Sequence, residues 1–142
     1  MYDLTALQVY LHEINQQIDE YAVELNQLAQ LENLSNRDYY AAERLLQVMI
    51  EACIGISKHW LKFLGKTVPN DAYRAFTLLV DYNLLAEHEL IMWRKIIGLR
   101  NALVHDYLNL DREIIKTILK EQHYLKLVAF IEQATLAMKI SE

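Results

Sequence analysis

The chain is 142 residues long, 54% of them hydrophobic, and carries a formal net charge of −5. That length suits one domain, residues 1–142, with a sizeable core. The acidity argues against an extended nucleic-acid-binding surface, no apolar run reaches the roughly 18 residues a membrane span needs, and a lone cysteine, Cys53, rules out an internal disulfide.

Three glycines and one proline leave little room for turns, which predicts an all-α fold of long helices joined by few loops. Apolar content slightly above the usual share leaves surface to spend on a partner chain. The amino terminus has no basic residue before an apolar run, so no signal peptide is expected. With Cys53 read as a buried inert thiol, a reduced, cytoplasmic setting fits. Charge is unevenly placed. Residues 1–36 hold six acids (Asp3, Glu13, Asp19, Glu20, Glu24 and Glu32) and no lysine or arginine. Any nucleic-acid contact is therefore expected from the later helices. Lys58, Lys62 and Lys66 recur every four residues and would form one basic stripe, although each lysine taken singly reads as part of a solvated helix face.

The first helix is expected over residues 3–31. Leu4, Leu7, Leu11, Ile14, Ile18, Tyr21, Leu25 and Leu28 alternate spacings of three and four, the seam of a long helix packed along a neighbour. Ser35, with Asp38 three residues on, can cap a second helix. Tyr39, Ala42, Leu46, Met49, Cys53, Ile56, Trp60 and Phe63 continue the same alternation to about residue 64, where Gly65 fits a helix end. These two read as an antiparallel hairpin. Thr67 to Asn70 is a loop, and Asn70 or Asp71 can cap a third helix over about 71–85, carrying Ala72, Phe76, Leu79 and Leu84. A fourth is expected over about 88–105, with Ile91, Trp93, Ile96, Ile97, Leu99 and Leu103. Gly98 inside it suggests close packing against another helix or chain. Asp111 can cap a fifth helix, 111–139, with Ile114, Ile118, Leu125, Val128 and Ile131 inward. The whole is an up-down bundle of about five helices. His12, His59, His88 and His123 are scattered, without acidic or cysteine partners at metal-ligand spacing, so no metal or other cofactor is expected.

One stretch carries chemistry: Arg100-Asn101-Ala102-Leu103-Val104-His105-Asp106-Tyr107. Arginine offers a permanent charge and a rigid fork of donors suited to phosphate oxygens. Histidine titrates near neutrality and can take and return a proton. Asn101 and His105 lie one turn apart on one helix face, so Asn101 can hydrogen-bond the imidazole or a substrate oxygen. Arg100 and His105 are about 140° apart around an ideal helix. They meet on one phosphate only if the helix ends or bends near His105, or if a second chain completes the site. A phosphate clamp beside a proton shuttle suits RNA, whose 2′-hydroxyl is a built-in nucleophile, and needs no metal. The same residues also fit a plain role as dipole partners and solvated charges at a helix end.

The stretch resembles the RX4HXY form of the HEPN signature, and the chain is similar to HepT toxins, the HEPN halves of HEPN/MNT toxin–antitoxin pairs. The similarity extends to Glu43-Arg44-Leu45-Leu46-Gln47-Val48, to Glu51-Ala52-Cys53, and to Pro69 through Phe76. Gly98-Leu99 before the arginine departs mildly from the usual pattern. The resemblance implies an HEPN-like homodimer in which two motifs meet across the interface. It implies the toxin of a type VII pair, a metal-independent endoribonuclease acting on tRNA or mRNA, with Arg100 holding the scissile phosphate, Asn101 orienting and His105 transferring the proton. It further implies an MNT nucleotidyltransferase antitoxin as partner, attaching AMP to the motif tyrosine, Tyr107. The alternative is a non-catalytic helical module that binds a nucleotide or a partner, with the motif as a phosphate-binding remnant.

Overall fold

A computed structural model describes residues 3–105 and 110–139. Its described residues form six helices: α1 (Leu4–Ala29), α2 (Asn36–Phe63), α3 (Ala72–Asp81), α4 (Glu89–His105), α5 (Arg112–Lys120) and α6 (Leu125–Met138). The fold is all-α, as the sequence predicts, and none of these helices is long and apolar enough to cross a membrane.

The helix starts are set by short acceptor side chains that satisfy orphan backbone N–H groups. The Asp3 carboxylate accepts from the Thr5 and Ala6 amides at 3.0 and 3.1 Å. Ser35 and Asp38 form the full reciprocal capping box, at 3.1 and 2.8 Å. Asp71 accepts from the Arg74 amide at 2.8 Å and Asp111 from Glu113 at 2.9 Å. At the far end of α2, Gly65 takes φ +73. The Gly65 and Lys66 amides then donate back to the Lys62 and Leu61 carbonyls, which turns the chain out of the helix.

The predicted fifth helix is two helices. Gln122 adopts φ +54, and the Gln122 and His123 amides donate to the Leu119 and Ile118 carbonyls. This is the same terminating turn that Gly65 makes, built on a residue that carries a Cβ. A glutamine gives no sequence signal for it. Tyr124, just past the break, is buried and its hydroxyl donates to Asn26 of α1. Two shorter helices present different inner faces from one long one. Ile115, Leu119, Leu127, Phe130, Ile131, Ala134 and Met138 face the core, while Ile114 and Leu125, expected inward, are exposed.

α2 is the axis of the bundle and touches every other helix. Tyr10, early in α1, stacks on His59, late in α2, at 3.9 Å, so the first hairpin is antiparallel. Asn15 donates to Thr135 of α6, which with the Tyr124–Asn26 bond sets α6 antiparallel to α1. Phe76 stacks on Trp93 at 4.1 Å, and Trp93 meets the Phe130 ring edge-on at 4.7 Å. This cluster fixes the first half of α4 against α3 and α6, each ring pair contributing about 0.5–1.5 kcal/mol beyond burial.

Candidate active site

Helix α4 carries the motif. Its inner face is pinned by Trp93, Ile97 and Leu103, all buried. Along its outer face Ile91, Arg94, Gly98, Asn101 and His105 are all exposed, and these positions alternate steps of three and four. Asn101 and His105 thus share one solvent-facing side, as the spacing requires.

Arg100 points elsewhere. Its side chain is 22% exposed and leans toward α2, where its Nε lies 3.5 Å from Oε1 of Glu51. That nitrogen is buried and has no hydrogen-bond partner among the described residues. The contact is therefore an ion pair without hydrogen-bond geometry. Glu43 and Arg44 lie on α2 in the stretch that carries the family resemblance. The acid that meets Arg100 is Glu51, two turns further along. Only the folded register of α2 against α4 selects it, because several α2 acids satisfy the charge pattern equally well.

Helical geometry persists through His105. His105 is the last described residue of the helix, and on helical spacing Arg100 and His105 lie on different sides of α4, Arg100 against α2 and His105 in solvent. Tyr107 lies outside the described residues.

Other features are structural. The Lys58 ammonium donates to the Asn70 carbonyl at 2.9 Å, and that of Lys66 sits 4.6 Å over the Tyr82 ring. Two of the three stripe lysines thus brace the α2–α3 connection. His59 is held below its ordinary pKa by burial and by the Lys62 charge. Cys53 is fully buried, and burial pushes its thiol far up, leaving it inert. Among the described residues no group of three His, Cys, Asp or Glu side chains is placed to hold a metal ion. An apolar groove of about 560 Å³ runs beside α4, lined in part by Ile91, Ile96, Ile114 and Ile118, but Arg100, Asn101 and His105 do not border it.

Residues 11–134 match the family model described as "Ribonuclease HepT-like". The chain belongs to the HepT-like family. Two curated relatives of this HepT-like chain are the mRNA nuclease HepT of Shewanella oneidensis, 36% identical over 81 residues (57% of this chain and 59% of that one), and the tRNA nuclease HepT of Aphanizomenon flos-aquae, 36% identical over 96 residues (61% and 64%). These alignments span about three-fifths of each relative's length. Among solved structures, a tri-AMPylated Shewanella oneidensis HEPN toxin in complex with MNT antitoxin superposes with a TM-score of 0.75 at 26% identity, covering 94% of this chain and 97% of that one. A toxin–antitoxin crystal structure with AMP-PNP shares the fold, with a TM-score of 0.73 at 24% identity over 98% and 100% of the two chains.

Proposed function

We propose that this chain, as one HepT-like unit over residues 1–142, is the toxin of a type VII HEPN/MNT pair and a metal-independent endoribonuclease of the cytoplasm. One observation carries the reading: in a chain matched by the HepT-like family over residues 11–134, α4 presents Asn101 and His105 to solvent beside a part-buried arginine. The nuclease names of both curated relatives support it.

The chemistry comes from RNA itself. His105 takes the proton of a ribose 2′-hydroxyl, and the freed oxygen bonds to the adjacent phosphorus. The bond from phosphorus to the 5′-oxygen breaks, and that oxygen takes a proton from water, while the protonated His105 returns its own to solvent. The products are a 2′,3′-cyclic phosphate and a 5′-hydroxyl, with no covalent enzyme intermediate. Arg100 stabilises the charge that builds on the phosphoryl oxygens, and Asn101 orients the imidazole or the substrate.

The separation of Arg100 from His105 makes a homodimer part of this proposal. The exposed stripe of Ile91, Arg94, Gly98, Asn101 and His105 has the spacing of a helix-pairing seam. A Cβ built on Gly98 would meet nothing within 4 Å among the described residues, so packing among them does not explain the glycine. A second copy docked there supplies the close neighbour and brings another motif alongside. Tyr107 is the proposed site of AMP transfer by the antitoxin. The added phosphate and adenine would repel RNA and crowd the approach to His105.

The test is cleavage of tRNA and mRNA by the purified protein with chelator present. Wild-type protein cuts; His105→Ala and Arg100→Ala fall by about a hundredfold or more while keeping their helical spectra. Unchanged cutting by either variant removes the assigned roles. Mass spectrometry after co-expression with a nucleotidyltransferase antitoxin should place AMP on Tyr107. A non-catalytic binding module is the second reading, favoured by the net charge of −5 and by lysines spent on internal contacts. Growth decides between them, since only a nuclease gives toxicity that His105→Ala relieves.

A further inference from the structure

We propose that Glu51 is a positioning residue for Arg100, setting which edge of the guanidinium meets the phosphate; this rests on the reading of Arg100 as the phosphate clamp. A guanidinium is planar and presents its donors on fixed edges. Glu51 Oε1 lies 3.5 Å from Nε, and Nε is closed off from solvent. The Nε side of the fork is therefore turned to α2, and in this proposal the two terminal nitrogens form the edge that meets the oxyanion. Both ends of the contact stand on rigid ground. Met49, Ile50, Cys53 and Ile54, buried around Glu51 on α2, fix its backbone, and Ile97 and Leu103 do the same on either side of Arg100. Glu51 is itself half exposed, at 46%, so water screens much of its charge. Its chief effect is then directional: it limits the rotamers of a long side chain without cancelling the cation. Sequence pattern leaves Glu51 indistinguishable from other helix-surface acids, and only the α2–α4 register pairs it with the motif.

A purely neutralising carboxylate would behave oppositely, because its removal would strengthen RNA binding and speed cleavage. Steady-state cleavage by purified full-length Glu51→Ala, Glu51→Gln, Arg100→Ala and the Glu51→Ala/Arg100→Ala double variant separates these outcomes. Glu51→Ala should lower kcat about tenfold with a smaller change in KM. Glu51→Gln keeps the length and bulk of the side chain and a partly negative oxygen at the same reach, so it should recover part of kcat, and being isosteric it covers the case in which the alanine variant folds poorly. The double variant should be no slower than Arg100→Ala alone, because the two residues act through one another. Glu51→Ala at or above the wild-type rate, Glu51→Gln as slow as Glu51→Ala, or additive losses in the double variant would each overturn the proposal. Wild-type cleavage by Arg100→Ala would instead overturn the phosphate-clamp reading beneath it.

Discussion

At the level of single residues, α4 places its polar side chains in unlike environments: Arg100 is part-buried against Glu51, while Asn101 and His105 stand in water. A part-buried arginine is held in direction, and an exposed imidazole is open to a substrate. The other informative histidine is His59, which stacks on Tyr10 and whose pKa is lowered, first by burial and then by Lys62. Its protonation and folding are therefore linked. The unfolded chain binds this proton more readily than the folded one, so folding is favoured fully above the ordinary value near 6.5 and loses that contribution as pH falls toward the lowered folded value. Thermal melts between pH 7.5 and 5 should show stability dropping on the acid side, and His59→Gln should flatten that slope. A variant with an unchanged slope would assign the acid sensitivity to other groups.

At the level of helices, much was legible. The alternation of threes and fours in α1 and α2 gave most of their inner faces, with Leu4 exposed instead, and Ser35, Asp71 and Asp111 cap helices as expected. The α5–α6 break was not legible, because Gln122 takes a left-handed conformation with nothing in its type to announce it; the inner residues then shift from Ile114 and Leu125 to Ile115 and Leu127. In the motif, spacing put Arg100 and His105 about 140° apart on an ideal helix, but Glu51 as the arginine's partner depends on tertiary register. Gly98 bears directly on helix pairing. It is exposed and has open space where a side chain would go, so Gly98→Leu should not harm the protomer and should raise helix stability by about 0.5–1 kcal/mol. If α4 pairs with its counterpart across this position, the same change should shift sedimentation from dimer to monomer and abolish cleavage. A variant still dimeric and active would remove this face as the contact.

At the level of the whole molecule, a bundle built around α2 holds α4 as a rigid ledge, with one exposed stripe free to meet a second copy. The chain as a whole is acidic, and two lysines of its one basic stripe serve internal contacts, so RNA would be gripped locally at the motif and not along a broad surface. The central claim is that Arg100 of one copy and His105 of another act on one phosphate. Mixing Arg100→Ala with His105→Ala protein under conditions of subunit exchange tests it most directly. Each parent alone should be about a hundredfold or more slower than wild type. The mixed dimer pairs an intact arginine with an intact histidine across the interface, and a one-to-one mixture should recover about a quarter of wild-type cleavage, from half the dimers with one of two sites restored. A mixture no more active than its parents, with exchange verified, would contradict the account.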